Sequence, residues 1–141
     1  MGDLQPTDRE LEALKVLWER GEATVRELCD ALNERGAELA YTTVLSLLQV
    51  MEQKGLASHR RDGKAYVYAA SIERASTLGQ MAGGFLDRVF DGAVNEYLVH
   101  ALESRRLSAR ELDELEAMVA SAKQQAKERG RGKGNAKGEQ R

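Results

Sequence analysis

The strongest constraint on this chain is a change of hydrophobic period within residues 24–70. Val25, Leu28, Cys29 and Leu32 recur at i, i+3, i+4 and i+7, and Val44, Leu47, Leu48 and Met51 repeat that spacing. Each set forms one apolar stripe, so two helices turn toward a shared core. After Gly55 the helical period ends. Segments 56–61 and 64–70 flank Asp62-Gly63, a dipeptide that tolerates positive φ and suits a two-residue hairpin turn. Such a turn sets Arg61 opposite Lys64, Arg60 opposite Ala65, His59 opposite Tyr66 and Ser58 opposite Val67. Like charges facing each other across the tip are unfavourable in an isolated hairpin; a phosphate between them, or a fully solvated flexible tip, accounts for the pair.

Helix, turn, helix and basic hairpin, in that order, define a winged helix. Such a domain usually lays its second helix-turn-helix element in the DNA major groove and its wing along the backbone. The expected fold is therefore mainly α with a small β-hairpin: a winged helix-turn-helix domain over 6–70, a helical dimerisation domain over 71–126 and a disordered basic tail over 127–141. Residues 1–6 read as a loose leader. Thr7 and Glu10 form a capping box for the first helix, whose inner face takes Leu11, Leu14, Leu17 and Trp18 before Gly21 ends it. Trp18, the sole tryptophan, closes an amphipathic stripe and reads as a core plug rather than a base-stacking platform. Thr24 and Glu27 repeat the capping box, and the spacing predicts a second helix over 25–33.

The third helix is expected over 41–54. With its apolar residues turned inward, Thr42, Ser46, Gln49 and Gln53 stack on the opposite face at i, i+4, i+7 and i+11. Hydroxyls meet several base edges or a thymine methyl, and glutamine makes a two-point contact to adenine. Tyr41, Thr42, Thr43, Ser46 and Gln49 are accordingly the candidates for base reading, with a phosphate contact as the other use of the Tyr41 hydroxyl. Lys54, Arg60, Arg61 and Lys64 are the candidates for the DNA backbone. The overall balance runs the other way, because 21 Lys and Arg against 23 Asp and Glu give a net charge of -2. Four local cations per monomer reach few phosphates, so dimerisation, which doubles them, is the natural complement.

The second half supplies apolar helical faces. Leu78, Met81, Phe85, Val89 and Phe90 lie on one helix that Asp91-Gly92 ends; Tyr97, Leu98 and Leu102 lie on the next. Ser108 and Glu111 cap a third, which carries Leu112, Leu115, Met118 and Val119. With the winged-helix core already complete, a two-fold homodimer is the economical cover for these faces, and it matches inverted half-sites on duplex DNA. The alternative is that the helices fold back on their own N-terminal core. One cysteine excludes an internal disulfide and suits a reducing cytoplasm. No apolar run approaches the roughly 18 residues of a membrane span, nor is there an apolar signal segment. No catalytic, cofactor-binding or metal-ligating set is present: Glu111, Glu114 and Glu116 form a solvated helix face, and His59 and His100 have no nucleophile between them. A winged helix used for protein contact, without sequence-specific DNA binding, is the competing reading.

The stretches LEALKVLWERGEATVRELCDAL, AYTTVLSLLQVMEQKGL, GKAYVY, FLDRVFDG and LSARELDELEAMV together resemble the penicillinase-repressor family of bacterial transcription factors. The resemblance spans 6–119. It implies a cytoplasmic homodimeric repressor on an inverted-repeat operator, with Tyr41, Thr42, Thr43 and Ser46 toward the groove and Arg60, Arg61 and Lys64 around the wing. In members that respond to beta-lactams it further implies a regulatory protease that cuts within the dimerisation domain; the matching neighbourhood here is His100-Ala101, without the typical Asn-Phe pair. The cysteine cluster of copper-responsive members is absent, and Ala40 stands where a capping serine is expected.

Overall fold

The computed structural model describes the backbone of residues 5–139 and the side chains of residues 5–132. Most of the leader expected over 1–6 therefore lies outside the described residues. The elements run α1 (Asp8–Arg20), β1 (Ala23–Thr24), α2 (Val25–Glu34), α3 (Tyr41–Gln53), β2 (Ala57–Asp62), β3 (Ala65–Ala70), α4 (Arg74–Phe90), α5 (Val94–Ser104) and α6 (Ala109–Glu139).

Reciprocal capping boxes start α1, α2 and α6. Thr7 and Thr24 each accept from the backbone N–H of a glutamate three residues on, and each glutamate accepts from the cap residue's own N–H. Ser108 and Glu111 repeat the arrangement at 3.1 and 3.2 Å. These bonds hold the Glu27 carboxyl below its ordinary value, the backbone N–H of Thr24 contributing most. At its far end α4 stops on Asp91, which adopts left-handed geometry at φ 51° and is followed by Gly92 at φ 81°.

The core of the first unit gathers Leu14 and Leu17 of α1, Val25, Leu28 and Leu32 of α2, and Val44, Leu48 and Met51 of α3, all essentially inaccessible. Leu47 and Leu11, expected inside, are half-buried. Trp18 packs against this core, and its indole N–H donates to the carbonyl of Ile72 at 2.9 Å. The aromatic body is thus covered while its polar edge is satisfied.

The sheet has three strands in the order β1-β3-β2, all antiparallel. β1 is only two residues, Ala23 opposite Tyr68 and Thr24 opposite Val67. Its extended backbone follows from the N-cap of α2, where Thr24 sits at φ -71° and ψ 164°. The hairpin corrects the expected register by moving the turn one residue along. Asp62 pairs with Ala65, Arg61 with Tyr66, Arg60 with Val67 and His59 with Tyr68. Gly63 then becomes the first central turn residue at φ 63°, the position that glycine occupies in a II′ hairpin. This arrangement also removes the opposed Arg61 and Lys64, so no anion is needed to explain the tip.

Two compact units divide between Gly92 and Ala93, not after residue 70 as the change of pattern suggests. Helix α4 belongs to the first of these units. A groove of about 560 Å³ is lined by Pro6, Lys54 and Leu56 on one side and by Ile72, Thr77 and Met81 on the other. Thr77 is buried there, its hydroxyl donating to the Glu73 carbonyl at 2.7 Å. In the second unit, α5 and α6 flank an apolar groove of about 600 Å³ whose walls include Leu98, Leu102, Leu112, Leu115 and Met118. Helix α6 extends to Glu139, through the stretch 127–139 for which a disordered tail is expected from sequence. Among the described residues no helix is long and apolar enough to cross a membrane.

Candidate nucleic-acid interface

The site begins with the turn that aims α3. Asn33, at the end of α2, accepts from the backbone N–H of Leu39 at 2.9 Å and donates to the carbonyl of the same residue at 3.0 Å. The thiol of Cys29 donates to that carbonyl as well, at 3.5 Å. Both polar groups of one backbone residue are thereby clamped to α2, which fixes where α3 starts. Sequence reading places Asn33 only as a helix exit; an asparagine able to mimic a backbone pair is the signal that would have found this role.

On α3 itself, Tyr41, Thr42, Thr43, Ser46, Gln49 and Gln53 are all exposed, opposite the buried Val44, Leu48 and Met51. The residues of the expected polar stripe therefore all lie at the surface. Ala40 is the N-cap and supplies no side-chain hydrogen bond. The Arg26 guanidinium of α2 lies 5.0 Å from the centroid of the Tyr41 ring, which steadies the ring by a cation–π contact.

The wing's cations divide into two groups. Arg60 reaches back to Glu22, with 2.7 Å from Nη2 to Oε1, and this hydrogen bond, followed by the charge of Glu22, raises the Arg60 pKa above its ordinary value. Arg61 instead lies over Tyr66, 5.4 Å from the ring centroid. Neither Arg61 nor Lys64 makes an ion pair among the described residues.

Lys54 is in a different position from the one expected. Its ammonium donates to both carboxylate oxygens of Glu10, at 3.0 and 2.9 Å, and Glu10 is only 2% exposed. Burial pushes the Glu10 carboxyl up, but the backbone N–H of Thr7 and the Lys54 ammonium together outweigh it and hold the group below its ordinary value. A cation committed to a buried carboxylate is a structural tie between α1 and the end of α3, and Lys54 is removed from the candidates for phosphate contact.

Between α3 and the wing, Gln49, Glu52 and Gln53 face His59, Tyr66 and Tyr68 across a groove of about 380 Å³. The polar stripe therefore runs directly into the hairpin. Burial, with a smaller contribution from the Glu52 charge, raises the Tyr68 phenol above its ordinary value and keeps it protonated.

Of the residues expected to make a dimer, Phe85, Val89, Tyr97, Leu98, Leu102, Leu112, Met118 and Val119 are exposed, whereas Leu78, Met81, Phe90 and Leu115 are half-buried. Phe85 and Phe90 meet edge to face with centroids 6.0 Å apart. No cluster of His, Cys, Asp or Glu among the described residues has the arrangement of a metal site.

These features define a winged helix-turn-helix protein of the DNA-binding type, followed by C-terminal helices that carry exposed apolar residues. The chain belongs to the penicillinase repressor family, whose model matches residues 6–121. It is 28% identical over 124 residues to the penicillinase repressor of Bacillus licheniformis, covering 88% of this chain and 96% of that one. It is 36% identical over 115 residues to the transcriptional regulator BlaI of Mycobacterium tuberculosis, covering 80% and 81%. The solved DNA binding domain of the repressor BlaI is similar at 27% identity and a TM-score of 0.45, covering 50% of this chain and 85% of that chain.

Proposed function

We propose that this protein is a homodimeric transcriptional repressor that occupies an inverted-repeat operator, with α3 in the major groove and the wing on the phosphate backbone. The observation that carries the reading is the junction of two surfaces. An exposed, uncharged hydrogen-bonding stripe on α3 runs into a hairpin whose outer cations, Arg61 and Lys64, are not consumed by carboxylates among the described residues. Tyr41, Thr42, Thr43, Ser46 and Gln49 read base edges; Arg61 and Lys64 hold phosphates, and Arg60 joins them by exchanging Glu22 for a phosphate. The exposed apolar faces of α4, α5 and α6 form the dimer contact, and a repressor acting on genomic DNA works in the cytoplasm. A regulatory protease is not assigned, because His100-Ala101 stands where the family resemblance implies an Asn-Phe cleavage pair.

The two surfaces are separable by experiment. A duplex selected by the full chain from a random-sequence pool supplies the probe. Thr42→Ala with Ser46→Ala is expected to lower discrimination against mismatched half-sites by about 1–3 kcal/mol per lost base contact, with little change in binding to unrelated duplex. Arg61→Gln with Lys64→Gln is expected to weaken binding to every duplex and to reduce the salt slope by about 1 per lost phosphate contact. Equal effects of both pairs on all duplexes would contradict this division. Failure to enrich any duplex would favour the protein-contact reading.

A further inference from the structure

Glu52 is the one charged residue of α3, and it stands beside Gln53 on the groove that joins the polar stripe to the wing. A carboxylate there opposes an approaching phosphate backbone unless something neutralises it. The neighbouring group is His59 of β2, whose Nδ1 lies 2.6 Å from Glu52 Oε1. The imidazole cannot easily turn away. Its ring meets Tyr66 edge-on at a centroid distance of 5.1 Å and Tyr68 at 5.2 Å, and Tyr68 is also its partner across the sheet. This contact thus ties the first strand of the wing to the last turn of α3.

The charge of the tie depends on one proton. With the imidazole neutral, its Nδ1–H donates to a carboxylate that stays negative; with the imidazole protonated, the pair is neutral overall. The titratable and charged groups that face His59 are Glu52 from α3, Tyr66 and Tyr68 from β3 and, on its own strand, Arg61 over the Tyr66 ring. Carboxylates ordinarily titrate near pH 4 and phenols near 10, so between about pH 5.5 and 8 imidazole is the group type whose charge changes.

We propose that His59 is a positioning residue of the DNA-reading face: protonated, it pairs with Glu52, holds the wing against α3 and cancels the carboxylate's charge where the phosphate backbone runs, so that DNA binding takes up a proton from solvent. The inference rests on the DNA-binding reading above. Its sign follows from linkage, since the form that binds DNA better is the protonated one, and affinity falls as pH rises through the imidazole range.

The test uses the full chain and a duplex it selects from a random-sequence pool, with affinity measured by fluorescence anisotropy across about pH 5.5–8 at constant ionic strength. The affinity of the unaltered chain is expected to fall by about three- to fivefold per protomer over that span, the size of an exposed ion pair. His59→Gln keeps a hydrogen bond to Glu52 but cannot titrate, and its profile is expected to be flat. Glu52→Gln is expected to bind at pH 8 at least as tightly as the unaltered chain at pH 6. His100→Gln should leave the unaltered profile in place. Calorimetry of the unaltered chain in two buffers of different ionisation enthalpy provides a measure that needs no variant, and net proton uptake is expected. A flat profile for the unaltered chain, zero proton uptake, or an unaltered slope in His59→Gln would overturn the role of His59 while leaving DNA binding intact. Failure to bind any selected duplex at any pH would overturn both readings together.

Discussion

The winged-helix unit and the α5–α6 unit use similar apolar residues to opposite ends. In the first, Leu14, Leu28, Val44 and Leu48 are sealed against one another, and the buried polar group Glu10 is answered by Thr7 and Lys54. In the second, no side chain among the described residues is buried to that degree; Met118 is 63% exposed and Val119 51%. A contiguous apolar face left open on a small chain marks an interaction surface rather than a finished core. The first unit thus closes its core within one chain, whereas the second leaves its apolar residues open, the face we propose for the dimer contact.

Substitutions should separate the two regions sharply. Leu48→Ala, at a site with no accessible surface, is expected to cost about 2–5 kcal/mol in denaturant unfolding of the winged-helix unit. A loss under 0.5 kcal/mol, as is usual for surface positions, would show that the core is not closed there. Leu98→Asp with Leu102→Asp places charge in the α5–α6 groove. It is expected to raise the dimer dissociation constant by about 100- to 1,000-fold in sedimentation equilibrium while Trp18 fluorescence stays native. An unchanged mass would return the helices to a role within the monomer.

The polar tie inside the first unit yields two smaller effects. Lys54→Met leaves the buried Glu10 carboxylate short of its partner and is expected to destabilise the unit by about 1–3 kcal/mol, with the salt slope of DNA binding unchanged. A reduced slope would restore Lys54 to the phosphate-contacting set. Because the Glu10 carboxyl is held below its ordinary value of 4.5, its contribution is fully present above that pH and is lost as pH falls through the lowered folded value. Glu10→Gln is therefore expected to make the acid limb of thermal stability shallower, and an unchanged limb would remove Glu10 from the account.

Much of the architecture was legible in the chain because helices announce themselves locally. Hydrophobic spacing, the capping pairs Thr7–Glu10, Thr24–Glu27 and Ser108–Glu111, and the Asp91-Gly92 stop each act within a few residues. The polar stripe on α3 follows from the same periodicity. What the chain conceals is long in sequence or short in extent. Glu10 meets Lys54 across 44 residues and Glu22 meets Arg60 across 38, and neither pairing leaves a local trace. β1 is too brief to show alternation, and Asp62-Gly63-Lys64 accommodates a turn centred on either pair, so only pairing across the strands selects the register. The attachment of α4 to the first unit depends on packing around Ile72 and Thr77, which no periodicity reports.

We place the stripe on α3 and the tip of the wing together against DNA. Amide chemical-shift mapping of the isotope-labelled full chain, titrated with its selected duplex, tests this most directly. Shifts concentrated at Tyr41, Thr42, Thr43, Ser46 and Gln49 and around Arg60, Arg61 and Lys64 are expected, on one set of resonances for a symmetric dimer. Shifts confined to α5 and α6, with the α3 stripe unmoved at saturating duplex, would contradict the account.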